Sequence, residues 1–151
     1  MEMKVLRLLG FWERILWSLG KTPYWTRSDR AIRGRYGEWL GRRTLRRKGY
    51  RQMSRNWRSK SDRRQEIDLI CSKSDLLVFV EIRARSSNSL VGGYHSVNRR
   101  KHRSLKRSFK SYLVESRSQA RNFRFDVVEI DLPRSAGEEP VVFHHENIAI
   151  F

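Results

Sequence analysis

The run from Leu76 to Ile82 is apolar at every position except Glu81. A strand that packs on one side only alternates apolar and polar residues, whereas a nearly continuous apolar run is typical of a strand covered on both faces. Such a strand needs a layer above it and a layer below it. The run therefore predicts the interior strand of an α/β domain.

The segments around this run predict two helices and at least four further strands. Apolar residues at helical spacing predict a helix over 34–48 that stops at Gly49, and another over 97–115 with a dense basic face outward. The remaining strands are expected at 50–57 (an edge strand, because it is largely polar), 66–71, 125–132 and, as one or two short strands, 141–151. Loops are expected at 86–95 and 133–140. The fold class is α/β, with a mixed β-sheet flanked by helices in the order α-β-β-β-α-β.

The first 30 residues form a separate extension. Their apolar residues recur at helical spacing and predict an amphipathic helix over 4–19, followed by a linker over 21–33. We favour packing of this helix on the domain or on a partner subunit; contact of residues 4–19 with a membrane surface is the alternative. The chain thus divides into an extension, 1–30, and a domain, 31–151.

The charge balance points to a polyanionic partner. Lys and Arg number 33 against 16 Asp and Glu, which gives a net charge of +17. A surplus of this size is self-repelling unless a polyanion offsets it. Arg predominates over Lys, and its planar guanidinium binds phosphate oxygens in pairs, so nucleic acid, DNA above all, is favoured over an anionic membrane.

Cys71 is the only cysteine, which excludes an internal disulfide and a thiol-based metal cluster. No apolar run approaches the roughly 18–20 residues that span a bilayer. The N-terminus is interrupted by Glu13 and Arg14, with no small-residue cleavage site after them, so a signal peptide is not expected. We therefore expect a cytoplasmic protein, with Cys71 in the core.

The sequence does not indicate a site built on histidine, on a catalytic serine or on a glycine-rich loop. His144 and His145 are adjacent, so in a strand they point to opposite faces and cannot chelate one ion; both are interpreted as structural or exposed. Neither a Ser/His/Asp arrangement nor a phosphate-binding Gly-rich loop is present, and no small-molecule cofactor is expected.

Two carboxylates fall together on the predicted hairpin. If the hairpin turns at Ser74-Asp75, the numbers of paired residues sum to 149, so that Asp68 faces Glu81, Ile70 faces Phe79 and Glu66 faces Arg83. Paired side chains have Cβ atoms about 4.5–5.5 Å apart, and two carboxylates at that distance repel each other at neutral pH. A divalent metal ion or a neighbouring cation must offset them.

Both explanations stay open. Mg²⁺ prefers carboxylate oxygens and bridges to phosphate, and in phosphodiester hydrolysis it orients the attacking water. Arg83 shares the face of Glu81 and could touch the same phosphate. The alternative is an ion-pair ladder across the hairpin formed by Glu66, Asp68, Glu81, Arg83 and Arg85. The position of Glu81 in an apolar strand weighs against simple surface pairing, because buried charges are paired or bind metal.

Three basic runs, 42–51, 55–64 and 99–110, favour a phosphate-binding surface over a merely solvated one. Trp57 lies between basic residues and could stack on an unpaired base. The residues expected to bind nucleic acid are Arg55, Trp57, Arg58, Arg99, Arg100, Lys101, Arg103, Lys106, Arg107 and Lys110.

A set of short motifs occurs in a fixed order from about residue 30 to the C-terminus. They are Gly-Arg-Tyr-Gly-Glu at 34–38, Gly-Tyr at 49–50, Asn-Trp-Arg at 56–58, Glu-Ile-Asp-Leu-Ile at 66–70, Val-Phe-Val-Glu-Ile-Arg-Ala-Arg at 78–85, Lys101, Tyr-Leu at 112–113 and Arg-Phe-Asp-Val-Val at 124–128. In this order they resemble the YraN family, small bacterial proteins that are similar to PD-(D/E)XK endonucleases and Holliday-junction resolvases.

The resemblance implies a restriction-endonuclease-like core in which Asp68 and Glu81 are metal ligands. Glu38, on the first helix of the domain, would match the additional acid of resolvase-like members; its alternative is a helix-surface ion pair with Arg35 or Arg42. Resolvase-like enzymes are often dimers, so a homodimer is one expectation.

Two positions depart from the family pattern. Members usually carry Lys two residues after the strand glutamate, where this chain has Arg83, and Gly where it has Gln65. Arginine keeps its proton at physiological pH and cannot act as a base, although it could stabilise a phosphate. Lys101 could substitute for the missing lysine, or be one solvated charge among many.

The resulting hypothesis is a Mg²⁺- or Mn²⁺-dependent endonuclease acting on DNA, with Glu38, Asp68, Glu81 and Arg83 as catalytic residues. The alternative is a catalytically inactive nucleic-acid-binding module with the same fold.

Overall fold

The computed structural model of the chain describes Ile15 and residues 30–86, 99–120, 122–133 and 138–150. Its elements are α1 (Arg30–Arg47), β1 (Arg51–Arg58), β2 (Glu66–Lys73), β3 (Leu76–Ser86), α2 (Arg99–Glu115), β4 (Asn122–Leu132) and β5 (Val141–His145). The predicted α/β class and element order are confirmed, and the C-terminal segment contributes one strand within its described part.

The strands form one mixed sheet in the order β1-β2-β3-β4-β5. The pairs β1–β2, β2–β3 and β4–β5 are antiparallel, whereas β3 and β4 are parallel over their whole length. Strand β3 is therefore interior, and Val78 and Phe79 on it are completely buried. This confirms the prediction from the apolar run, and β1 is an edge strand as expected.

The two helices described over 30–47 and 99–115 lie on opposite faces of the sheet. On the α1 face, Leu45 and Tyr36 pack against a buried cluster that includes Cys71, Val80 and Ile130. On the α2 face, the helix contributes Leu105 and Phe109 to a second cluster with Ile70, Phe79, Phe125 and Val127. The rings of Phe79 and Phe109 stack with their centroids 4.3 Å apart. The two faces are thus separately closed, and Cys71 lies in the core as predicted.

Helix α1 approaches β3 closely because two of its residues lack a side chain. A Cβ atom added at Gly37 would fall inside the contact distance of the Ala84 Cβ atom, and one at Gly41 would lie 3.2 Å from Ile82. The helix ends at Arg47, and Gly49, the predicted stop, follows in the turn with a φ of 85°, in the left-handed region that favours glycine. This close packing fixes the position of Glu38, the neighbour of Gly37.

The predicted N-terminal helix lies almost entirely outside the described residues; Ile15 alone is described there, and it is helical. The predicted linker over 21–33 is wrong at its end, because α1 already begins at Arg30; residues 21–29 lie outside the described residues. Ser86, the first residue of the predicted loop over 86–95, is the last residue of β3, and residues 87–95 lie outside the described residues. None of the helices in the described part of the chain has the length and apolar character needed to cross a bilayer.

Candidate active site

The hairpin of β2 and β3 has the predicted register. Its ladder runs from Lys73↔Leu76 to Leu69↔Val80 and includes Ile70↔Phe79, so paired numbers sum to 149 throughout. Beyond this ladder the Oδ2 atom of Asp68 accepts a hydrogen bond from the Ile82 backbone N–H at 2.9 Å. Asp68 and Glu81 occupy the next positions of the two strands, and period-two alternation from Ile70 and Phe79 places both on the α2 face.

The surroundings of Asp68 disfavour the ionised form of its carboxyl group. Burial is the largest cause and raises the pKa of Asp68, and the nearby Glu81 and Glu38 carboxylates raise it further. The Ile82 N–H and the ammonium of Lys101 act in the opposite direction, and the resulting pKa is about 6. A carboxyl group of this kind gains from a nearby cation, because a cation favours its ionised form.

Two basic side chains flank Glu81. The Nζ atom of Lys101 on α2 lies 2.8 Å from Glu81 Oε1, and the Nε atom of Arg83 lies 3.8 Å from the same oxygen. The side chain of Glu81 is 12% exposed. The side chain of Lys101 is 44% exposed, and its ammonium is at the same time paired with the nearly buried carboxylate of the site.

The other charged residues of the hairpin pair with neighbouring strands. Glu66 accepts a hydrogen bond from Arg58 of β1 at 2.7 Å, and Arg85 donates one to Asp131 of β4 at 2.7 Å. The expected pairing of Glu66 with Arg83 lies beyond the β2–β3 ladder. The ion-pair ladder confined to the hairpin is therefore not what the structure shows, because Glu66 and Arg85 pair with β1 and β4. The charged groups that remain next to one another are Asp68, Glu81, Arg83 and Lys101.

Asp68 and Glu81 fit a magnesium site of the open kind. No three His, Cys, Asp or Glu side chains come close enough to hold a metal ion within the described ranges, so Glu38 does not complete a three-carboxylate site there. Mg²⁺ is commonly held by one or two carboxylates, with waters and substrate phosphates as its remaining ligands. The pair supplies that donor set, and Glu38 adds negative potential beside Asp68.

A basic groove runs along α2. The described residues that line it are Arg100, Arg103, Lys106, Arg107 and Lys110, all of them predicted to bind nucleic acid. The side chain of Arg99 lies outside the described part. Since α2 also carries Lys101, the groove and the carboxylate pair are joined by one helix.

The predicted contacts on β1 are more mixed. Arg55 and Arg58 are exposed, and Arg58 is paired with Glu66. Trp57 is half-buried, with its ring set edge-on to Tyr112 at a centroid distance of 5.4 Å. Part of the indole therefore belongs to the core.

Sequence reasoning missed a buried polar network on the α1 face. Asp126 is completely buried and receives hydrogen bonds from Asn147 N–H at 3.0 Å and from Arg124 at 3.0 Å, while His144 Nε2 lies 2.9 Å away. Burial would raise the pKa of Asp126, but the bonds from His144, Asn147 and Arg124 outweigh it and hold the pKa below its ordinary value. An acid within the apolar segment Phe125–Val128 was the available signal.

The two adjacent histidines are structural, as predicted. The side chain of His144 is 1% exposed and bound to Asp126. The Nε2 atom of His145 lies 3.3 Å from Glu129 Oε2.

Burial raises the pKa of Cys71 to about 12, so its thiol is not a nucleophile at neutral pH.

Comparison with known proteins places these residues in a family context. The sequence model of the uncharacterised protein family UPF0102 matches residues 37–130, which include Glu38, Asp68, Glu81 and Lys101. A UPF0102 protein of Halorhodospira halophila is 39% identical over 109 residues, covering 72% of this chain and 85% of that protein. Another, of Pseudomonas aeruginosa, is 38% identical over 115 residues, covering 76% and 88%. A third, of Alkaliphilus oremlandii, is 38% identical over 101 residues, covering 66% and 84%.

Proposed function

The chain belongs to the uncharacterised protein family UPF0102, and we propose that it is a metal-dependent endonuclease acting on DNA. The observation that carries the proposal is the pairing of Asp68 with Glu81 on the α2 face, with Lys101 Nζ 2.8 Å from Glu81 Oε1. Two carboxylates can hold a divalent metal ion, and two cations beside them can bind the phosphate, which is the equipment of metal-assisted phosphodiester hydrolysis. We propose that the protein acts in the cytoplasm.

The metal ion would be Mg²⁺ or Mn²⁺, held by Asp68 and Glu81. When bound, it supplies positive charge that lowers the pKa of a water and offsets charge on the phosphate. The hydrogen bond from the Ile82 N–H orients the Asp68 carboxylate, and Glu38 favours cation binding by adding negative potential. These residues prepare the site before any substrate arrives.

The basic residues have different tasks. Arg83 keeps its proton, so its role is to bind a phosphate oxygen and stabilise charge that develops there. Lys101 holds Glu81 in place and can also donate a hydrogen bond to the phosphate or a proton to the leaving oxygen. The groove on α2, lined by Arg103 and Lys106 among others, offers a separate set of cations to the DNA backbone.

A second candidate is a nucleic-acid-binding module without catalysis. Two observations favour it. Arg83 replaces the lysine of a Glu-x-Lys motif, and the Lys101 ammonium is already paired with Glu81 Oε1. A metal ion bound to that oxygen must share it with the ammonium or displace it. In this candidate the basic groove is the functional surface and the carboxylates keep a structural ion pair.

Cleavage of labelled duplex, single-stranded and four-way-junction DNA, with Mg²⁺ or Mn²⁺ added, separates the two. Wild type, Asp68→Ala and Arg83→Lys are compared, with Asp75→Ala as a control for loss of a carboxylate. Asp75 is exposed in the hairpin turn, away from the site. We expect metal-dependent cleavage by wild type and Asp75→Ala, and a loss of at least about 100-fold in Asp68→Ala.

The other outcomes decide between the candidates. Cleavage by Arg83→Lys but not by wild type would identify a lapsed enzyme that now acts by binding. The absence of cleavage from every variant, with DNA still bound, would reject the endonuclease and leave the binding module.

A further inference from the structure

The loop between β1 and β2, residues 59–65, is bonded to the C-terminal end of α2. The Ser59 hydroxyl donates a hydrogen bond to Glu115 Oε1 at 2.5 Å, and the Lys60 backbone N–H donates one to Glu115 Oε2 at 3.0 Å. These bonds, the one from Ser59 most of all, hold the pKa of Glu115 below its ordinary value. The carboxylate is therefore ionised at neutral pH and attached to the start of the loop.

The rest of the β1–β2 loop is fixed by further hydrogen bonds. The Ser59 hydroxyl oxygen accepts from the backbone N–H groups of Ser61 and Asp62 at 3.2 and 3.3 Å. The Gln65 N–H donates to the Asp62 carbonyl at 2.9 Å, and the Ser111 hydroxyl of α2 donates to Gln65 Oε1 at 2.6 Å. A loop fixed in this way holds its outward side chains in place before a ligand arrives, which lowers the entropy cost of binding.

Glu115 is the last residue of α2, where an acidic side chain is unfavourable. The C-terminal end of a helix carries partial negative charge, so a cation is preferred there. The last turn of α2 has no basic residue, although the chain has 33 Lys and Arg against 16 Asp and Glu. The bonds to the β1–β2 loop compensate for this placement, so Glu115 stabilises the loop and not the helix.

The β1–β2 loop presents two cations to solvent. Lys60 and Arg63 are exposed, and Arg63 has no acidic partner within the described part of the chain. Lys60 is bonded to Glu115 through its backbone N–H, so its ammonium is not used in that bond. Arg64 differs from both, because its guanidinium donates two hydrogen bonds to Asp62, at 2.9 and 3.2 Å.

The β1–β2 loop meets α2 where the basic groove ends. Lys110 is the last groove residue along the helix, and the next residue, Ser111, is bonded to the loop. An α-helix rises about 1.5 Å per residue, so Glu115 lies about 21 Å along the axis from Lys101 at the carboxylate site. The cations of the loop are therefore close to the groove and remote from the carboxylates.

We propose that Glu115 is a positioning residue, which holds the β1–β2 loop so that Lys60 and Arg63 bind the backbone of a DNA duplex beyond the end of the groove. The proposal rests on the DNA binding proposed above and adds a second contact to it. Lysine and arginine on a surface loop bind phosphates, and phosphate contacts position a duplex without reading its sequence. The loop therefore contributes to affinity and not to sequence preference.

Fluorescence anisotropy of a labelled DNA duplex with the full chain, in EDTA and over a salt series, tests this. The variants are Arg63→Gln, Glu115→Ala and Glu115→Gln. Arg47→Gln is the matched control for Arg63→Gln, because Arg47 is exposed on α1, on the opposite face of the sheet. Glu139→Ala is the control for loss of an exposed carboxylate. Urea unfolding of each variant checks that the fold persists.

Arg63→Gln should lower the slope of log K against log salt by about 0.9 and weaken binding about eightfold at 0.1 M salt, as loss of one phosphate contact does. Glu115→Ala should weaken binding at least about threefold, because the loop and its cations are released. Glu115→Gln should bind at least as tightly as wild type, since one amide oxygen can accept both bonds from the loop. The controls should change the slope by less than about 0.3.

The sign of the effect of Glu115→Ala separates a positioning role from a simple charge effect. Removal of a carboxylate beside DNA strengthens binding if the charge alone matters. The proposal is overturned if Glu115→Ala binds as tightly as wild type or more tightly, or if Arg63→Gln keeps the wild-type slope while Arg103→Gln lowers it. Loop effects on binding in a protein that cleaves no DNA would support the loop and reject the endonuclease.

Discussion

Lys101 on α2 and Glu81 on β3 are joined by an ion pair of 2.8 Å between Nζ and Oε1. The pair links the basic helix to the central strand at the position where the two carboxylates meet. A lysine ammonium is thus present at the site although β3 itself carries Arg83 in the position of the usual lysine. The two cations differ in kind, because lysine can give up a proton and arginine cannot.

Replacing Lys101 with alanine should reduce the rate of cleavage at saturating DNA by about 100-fold, as loss of an acid–base group does. Steady-state kinetics of DNA cleavage show whether the substitution changes kcat or KM. Lys110→Ala is the control, since Lys110 is a lysine of the same helix that lines the basic groove and lies outside the carboxylate site. It should raise KM and leave kcat nearly unchanged.

The same variant separates catalysis from metal binding. Lys101→Ala should bind Mg²⁺ at least as tightly as wild type, because the ammonium no longer competes for Glu81 Oε1. Calorimetry with Mg²⁺ in the absence of DNA measures this. If kcat stays at the wild-type level in Lys101→Ala, the lysine has no part in the reaction.

Neutralising residues of the groove should reduce the salt dependence of DNA binding. Each of Arg103→Gln and Arg107→Gln should lower the slope of log K against log salt by about 0.9 on duplex DNA, if each contacts one phosphate. Arg117→Gln, an exposed residue after the end of α2, should leave the slope as it is. Fluorescence anisotropy over a salt series provides the slopes, and equal slopes in all variants would rule out this groove as the binding surface.

Replacing either of two glycines of α1 with alanine should change the free energy of unfolding, but in opposite directions at the two positions. Gly37→Ala places a Cβ against Ala84 and should lower the free energy of unfolding by about 1–3 kcal/mol, as overpacking does. Gly34→Ala meets nothing within 4 Å and should raise it by about 0.5–1 kcal/mol, because alanine is the better helix former. Urea unfolding midpoints report both changes. A loss of stability in Gly34→Ala equal to that in Gly37→Ala would contradict the close approach of α1 to β3.

Asp126 should make the stability of the fold depend on acidity. Its folded-state pKa lies below the ordinary value of 3.8, so its stabilising contribution is complete above that value and is lost as the pH falls through the folded-state pKa. Between about pH 5 and pH 3 the free energy of unfolding should therefore fall more steeply in wild type than in Asp126→Asn. Glu139→Gln, which changes an exposed loop residue, should retain the wild-type slope. Parallel slopes in wild type and Asp126→Asn would contradict this role.

The parts of the fold that follow from local pattern were predictable from the sequence. The apolar run at Leu76–Ile82 indicated an interior strand, and the register of the hairpin followed from a two-residue turn, because side chains in a strand alternate with period two. These two facts also place Asp68 beside Glu81. The pair is local in the chain, which is why spacing alone was sufficient to find it.

Features that depend on how distant segments pack were not predictable. Helical periodicity gives the buried side of α2, through Leu105 and Phe109, but not the distance from Lys101 to a particular carboxylate on β3. The pairing of Asp126 with His144 likewise requires the register of β4 with β5.

The parallel pairing of β3 with β4 has a consequence for the order in which the site forms. The hairpin that carries Asp68 and Glu81 joins residues at most 14 positions apart, the separation of Asp68 and Ile82, whereas β3 and β4 join residues 46 positions apart, as from Leu76 to Asn122. Contacts between residues close in the chain form faster than distant ones, so the hairpin should precede the docking of the α2 crossover. A newly made chain would then carry both carboxylates before Lys101 reaches them, and the complete site would wait for a long-range step of folding.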